Sequence, residues 1–441
     1  MKFCPECGAL LVTQKFCQEC GANIAKYLNN GNAISNNSLD NFDFVSLQQA
    51  AEEQYIEEVG FEVKNGVLIK YTGKSRNVII PRGITEIYDA AFEANEALTS
   101  VVIGNDVTVI GKFAFKNCKY LKEVTIPDSV TEIYEQAFLG CRSLTAIHIP
   151  NQLEIIRSRV FEECLALSKI NIPVSIKTIA KDAFYRTSIN RIDINSIESW
   201  LMIDFIGYDS RPSGSLYLNG NLLTEITIPN SILKIKKYAF CRCSQLKKCI
   251  IPNHVTAIDD FAFLACNDLE TCILSTNITS INESTFGGCL SLKAINIPSS
   301  VRKIGKGAFY GCKMLTSVIV PEGVKEIGQA AFSNCESLVS VSIPSTVEFI
   351  DIETFEKCSN LSNVTFKEGL KCIMEKAFVF CPKLETIVLP RSIKGVNYWA
   401  FDGTLKTAKV PVEFGEVKRR KEQNGWQLTI MIRKEATLIE Y

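Results

Sequence analysis

Phenylalanine recurs through this chain at a fixed interval of 23 residues. It stands at Phe92, Phe115, Phe138, Phe161 and Phe184, and again at Phe240, Phe263, Phe286, Phe309, Phe332, Phe355, Phe378 and Phe401. Other positions keep the same period. Five residues before each Phe is an isoleucine, from Ile87 to Ile373, with Val396 in the last copy. Alanine directly precedes Phe in ten of the 13 copies, and cysteine follows three residues after it in ten, as at Cys118 and Cys312. A leucine three residues further on leads into an alternating stretch that ends in Ile-Pro, such as Val124-Thr125-Ile126-Pro127. So strict a register constrains the fold more than any other feature. One unit of this size cannot bury its own apolar face. Stacked units can, and equivalent residues then form ladders through a continuous core.

Spacing also predicts the interior of each unit. The Val-x-Ile alternation reads as a short strand with both apolar residues facing inward. The proline after it ends the strand. A unit of 23 residues leaves no room for a long helix beside a strand. The Ala-Phe-x-x-Cys segment is therefore expected to form a single helical or 3₁₀ turn. The ten cysteines in this register are read as small buried hydrophobes. Cys249 and Cys272, which replace the inward Val of the strand, are read the same way.

The complete unit, Cys-x-x-Leu-x-x-Val-x-Ile-Pro-x-x-Val-x-x-Ile-x-x-x-Ala-Phe, resembles the BspA-like bacterial leucine-rich-repeat family over residues 60–412. The resemblance implies a leucine-rich-repeat solenoid, curved, with a parallel sheet on its concave face. It also implies an adhesive or protein-binding role. Many members of the family are cell-surface proteins.

Around the repeats the chain divides as follows. Residues 1–24 form a zinc ribbon, and the Asn- and Ser-rich residues 25–42 a flexible linker. Residues 43–79 carry a short helix and a hairpin cap signalled by Asn65-Gly66. The solenoid occupies 80–412, with an irregular insert near 188–224 that resembles the degenerate longer repeat of the family. This insert reads either as an irregular coil or as a recognition loop; it contains Trp200 and a second hairpin signal over Leu216–Leu222. Residues 413–441 form a helix-strand cap.

One strong chemical motif is present. Phe3-Cys4-Pro5-Glu6-Cys7-Gly8 and Phe16-Cys17-Gln18-Glu19-Cys20-Gly21 place two Cys-x-x-Cys pairs close together. Each pair can grip one ion from a tight turn, and the following glycine permits the positive φ that brings backbone N–H groups to the sulfurs. Cys4, Cys7, Cys17 and Cys20 thus form a complete tetrahedral set for one structural zinc ion, with no position open for catalysis. So short a segment has almost no core, and the metal would supply its folding energy.

Nothing in the sequence points to an enzyme. The chain has 2 histidines, His148 and His254, on different coils, and neither has a motif around it. No P-loop, dinucleotide fingerprint, His-Glu-x-x-His or nucleophile elbow occurs. The 48 basic and 48 acidic residues cancel, which argues against a dedicated nucleic-acid binder. With no apolar leader at the N-terminus and no apolar span, the expected location is cytoplasmic, with surface association by a non-classical route left open. The partner is expected to be a protein, held on the outward strand positions, where His148, Ile250, Ile273 and Ile319 are the candidate contacts. The alternative is a nucleic-acid-associated factor that uses the ribbon and the basic Lys418-Arg419-Arg420-Lys421 run.

Overall fold

Each coil of the repeat spends its backbone on two short strands joined by turns. A computed structural model describes residues 60–207, 209–397, 399–401 and 405–411. Of the remainder it describes only the backbone strands Lys2–Phe3, Leu10–Leu11 and Thr437–Glu440. The four ribbon cysteines and the Lys418–Lys421 run lie outside the described residues, as do the predicted linker, residues 43–59 with the predicted short helix, and the predicted helix-strand cap apart from Thr437–Glu440. The chain divides into two compact units, one of residues 1–199 and 205–213, the other of residues 200–204 and 214–441.

In both units the Val-x-Ile alternation forms a main ladder of parallel strands, in which side chains meet their equivalents one repeat away. Val78, Val101 and Val124 are paired in the first unit, and Ile226, Cys249 and Cys272 in the second. The inward members are buried, and the residue between them faces out. A second parallel ladder, absent from the sequence reading, runs through the isoleucine five residues before each Phe. Ile87, Ile110 and Ile133 pair in the first unit, and Ile281, Ile304 and Ile327 in the second. Its strands are two residues long, too short to show any alternation. The hairpin Phe61–Lys64/Val67–Tyr71 turns through Asn65 and Gly66, both at positive φ, and its second strand pairs with Glu86–Ile87.

The Ala-Phe-x-x-Cys segment is not the helical or 3₁₀ turn that spacing predicts. A 3₁₀ turn would use every amide within the segment. Here only alternate amides do so: Ala114, Lys116 and Cys118 donate to Gly111, Phe113 and Phe115. The intervening amides of Phe113, Phe115 and Asn117 donate to Glu135, Ala137 and Leu139, one coil further on. The left-handed φ of Phe113 (58°) and Asn117 (59°) lets the chain switch direction in this way. The segment is a string of β-turns that also stacks like a strand. Among the described residues the one α-helix is Ile197–Leu201, in the predicted insert. It is capped by Ser196, whose Oγ accepts the Ser199 N–H at 3.1 Å.

The phenylalanines that define the register stack directly. Neighbouring rings from Phe92 to Phe184 lie 4.8–5.7 Å apart and within 16° of parallel. Those from Phe240 to Phe401 lie 5.1–5.6 Å apart and within 14°. The spacing matches the roughly 4.8 Å rise between paired strands, so backbone pairing and offset ring stacking reinforce each other.

Candidate partner-binding face

Functional side chains in such an array must come from positions the core leaves free. The register cysteines are not among them. Their side chains are buried, and burial pushes the Cys118 and Cys358 thiols up to about 12 and the Cys312 and Cys335 thiols well above their ordinary value. They are more than the apolar fillers that the sequence reading makes them. In nine of the ten, Sγ donates to the carbonyl of the Phe in the preceding coil, as from Cys118 to Phe92 at 3.0 Å and from Cys312 to Phe286 at 3.2 Å. Where Thr187 and Asn95 replace the cysteine the bonds are local ones instead. Thr187 donates to Phe184 O at 2.9 Å, and Asn95 Oδ1 accepts the amides of Ala97 and Leu98.

The outward positions of the main ladder remain as the candidate face. His148 lies in the first unit, exposed, with Nε2 3.0 Å from Asp128 Oδ1. The same carboxylate accepts the Asn151 N–H at 2.8 Å. That backbone bond and the His148 contact hold the Asp128 carboxyl down to about 2. Nearby, Arg191 grips Asp193 through two nitrogens and Lys169 adds a third contact, lowering the Asp193 carboxyl. His148 and Asp193, at outward positions of the first unit, are thus paired within the chain.

The second unit differs. Ile250 pairs with Ile273 across adjacent strands and is half-buried. Ile273 is 51% exposed and Ile319 77% exposed. Both line one recess of about 620 Å³, with Leu274, Ile297, Pro298 and Pro321 adding apolar wall and Asn296 between the two isoleucines. Sequence alone places Ile273 and Ile319 on the same face but gives no sign of the recess between them.

The main ladder is locally open beside it. In the two preceding coils the residue after the outward position donates to the next coil, from Ile228 to Ile250 and from Ile251 to Ile273. Among the described residues Leu274, Ile297 and Val320 make no such bond, and the coil of Asn296 is joined to its neighbours here by the bridges Thr271–Ala294–Ser317 and by Thr316, whose amide and hydroxyl donate to Lys293 O.

Comparison with known proteins follows this geometry. The sequence pattern described as the BspA type leucine rich repeat region, in 6 copies, matches residues 69–202, 214–301 and 279–408. The chain belongs to the BspA-type leucine-rich repeat family. Leucine-rich repeat proteins generally mediate protein interaction or adhesion. Among solved structures, this BspA-type chain is similar to a leucine-rich repeat protein from Bacteroides ovatus, at 22% identity and a TM-score of 0.58, covering 87% of this chain and 97% of that one. A leucine-rich cell surface protein from Faecalibacterium prausnitzii gives 28% identity and a TM-score of 0.41, over 70% of this chain and 92% of that one. A leucine-rich repeat protein from Eubacterium ventriosum gives 21% and 0.48, over 76% and 90%. The first of these shows the shared fold. The sequence matches no curated protein. No helix among the described residues of this BspA-type chain is long and apolar enough to cross a membrane.

Proposed function

We propose that this protein is a non-catalytic interaction scaffold that binds a protein partner through the outward face of its main ladder. The single observation that carries the reading is the exposure of Ile319 and Ile273 on either side of one recess. A core-building register has no use for large branched side chains pointing into water, and clustered exposed apolar groups mark contact surfaces. The N-terminal Cys4, Cys7, Cys17 and Cys20 are proposed to hold one structural zinc ion, making the ribbon an accessory docking module.

The thiols favour a reducing compartment, which fits the cytoplasmic expectation. Cys249 and Cys272 sit side by side on adjacent strands as unpaired thiols, an arrangement that suits a setting where disulfides do not persist. The test pairs wild-type protein with an Ile273→Lys/Ile319→Lys variant in affinity purification from the native cell. Both substitutions lie on exposed side chains, so the fold survives them. The reading predicts loss of a specific set of partners. Retention of all partners, or steeply salt-dependent binding to nucleic acid instead, would contradict it.

A further inference from the structure

The main ladder of the second unit changes character along its length. Glu225 and Lys248 open it with charge. From Thr271 to Val388 no outward strand position carries a charge; small hydroxyls and amides alternate with Ile273, Ile319 and Val388. Charged residues make up 22% of the chain and concentrate on surfaces, so a run this long across successive coils departs from its average surface. Charges at the margins are already matched. Lys293 pairs with Glu270 at 2.7 Å, and Lys367 with Glu322 at 2.5 Å.

The recess lies inside this uncharged stretch. Its walls are the aliphatic Ile273 and Ile319 with Pro298 and Pro321, and no aromatic ring lines it on which a sugar could stack. Asn296 between them makes no side-chain hydrogen bond among the described residues. The amides of Leu274, Ile297 and Val320 lack the inter-coil bond that Ile228 and Ile251 make in the two preceding coils. The site therefore offers apolar contact together with unused backbone and amide hydrogen-bonding groups, and no net charge.

We infer that this stretch binds an extended, uncharged polypeptide segment, with one branched apolar side chain seated between Ile273 and Ile319 and its backbone bonded to Asn296. The inference rests on the scaffold reading and narrows it to one ligand chemistry. A charged segment would lose its hydration here and find no opposite charge in return. An uncharged backbone loses less and gains the bonds that the opened ladder leaves unmade.

The experiment uses the full chain against a displayed library of random twelve-residue peptides. Enriched peptides should be uncharged, with a central Ile, Leu or Val. Replacing that residue with Lys or Asp should weaken binding about tenfold or more. Ile319→Lys should abolish capture, and Lys169→Glu in the first unit should leave it unchanged. Enrichment of acidic or basic peptides, or of none, would overturn the inference. So would capture insensitive to Ile319→Lys, or binding of neutral oligosaccharides to the same face. Charged peptides whose capture still requires Ile319 would sink the ligand chemistry while leaving the scaffold reading intact.

Discussion

At the scale of single residues, the register cysteine shows how a small side chain can serve two needs. Its thiol fills a narrow space between stacked coils and donates to a Phe carbonyl, and being weakly polar it costs little to bury. Cys312→Ala removes the donor and leaves a small space, and should cost about 1–2 kcal/mol in urea unfolding. Since the thiolate is the nucleophile and burial pushes these thiols up, Cys312 and Cys335 should resist alkylation at pH 8 in the native chain and react once it unfolds. Rapid labelling of the native chain would contradict this. Asp128 gives a pH dependence of known sign. Its folded value, about 2, lies below the ordinary 3.8. Its contribution to local order is therefore complete above the ordinary value and is lost as pH falls through about 2. Amide exchange at Asn151 should accelerate over that window, and Asp128→Asn should remove the pH dependence. None of these bonds is legible from sequence. The period marks Cys as buried but does not say what its hydrogen faces, because the partner carbonyl sits 26 residues away.

At the scale of elements, the main strands and both hairpins announce themselves through local pattern: alternation, a terminal proline, and Asn-Gly at residues 65–66 and Asn219-Gly220. The second ladder and the turn string do not. Two-residue strands carry no period, and the alternate amides of the turns are satisfied by the next coil. Left-handed backbone at residues other than glycine is costly, and persists here because both neighbouring coils hold it in place. Ala265 is such a position, at φ 59° with its amide bonded to Gly287 O at 2.7 Å. Ala265→Asn should be neutral within about 0.5 kcal/mol, because Asn tolerates this conformation. Ala265→Val should cost about 1–2 kcal/mol, because a branched Cβ does not. Equal effects in chemical denaturation would remove the left-handed turn from the explanation. Phe309→Ala should cost more, about 3–5 kcal/mol, since it empties one level of a continuous ring stack.

At the scale of the molecule, charge is spent between coils. Lys303–Glu326, Lys313–Glu336 and Lys371–Glu348 each join equivalent positions one repeat apart at 2.6–2.8 Å, which gives the zero net charge a local structural use. Such exposed pairs contribute little each, up to about 1 kcal/mol, so high salt should leave the array folded. The proposed ribbon site should behave independently of the repeats. One zinc per chain by elemental analysis is expected, lost in Cys4→Ser and on strong chelation, with the circular dichroism of the repeat array unchanged. The recess is the least legible feature, because the ladder beside it is open at Leu274, Ile297 and Val320 although the repeat register there is intact. Burying the exposed part of Ile319 against a partner would contribute about 2 kcal/mol, enough to make it an anchor. The central claim is that this face is where the protein meets its partner. A photo-crosslinking amino acid placed at residue 319, and for comparison at Lys303 on the second ladder, tests it in the native cell. The account predicts a discrete protein adduct from position 319 and none from 303; adducts from 303 alone, or none from 319, would contradict it.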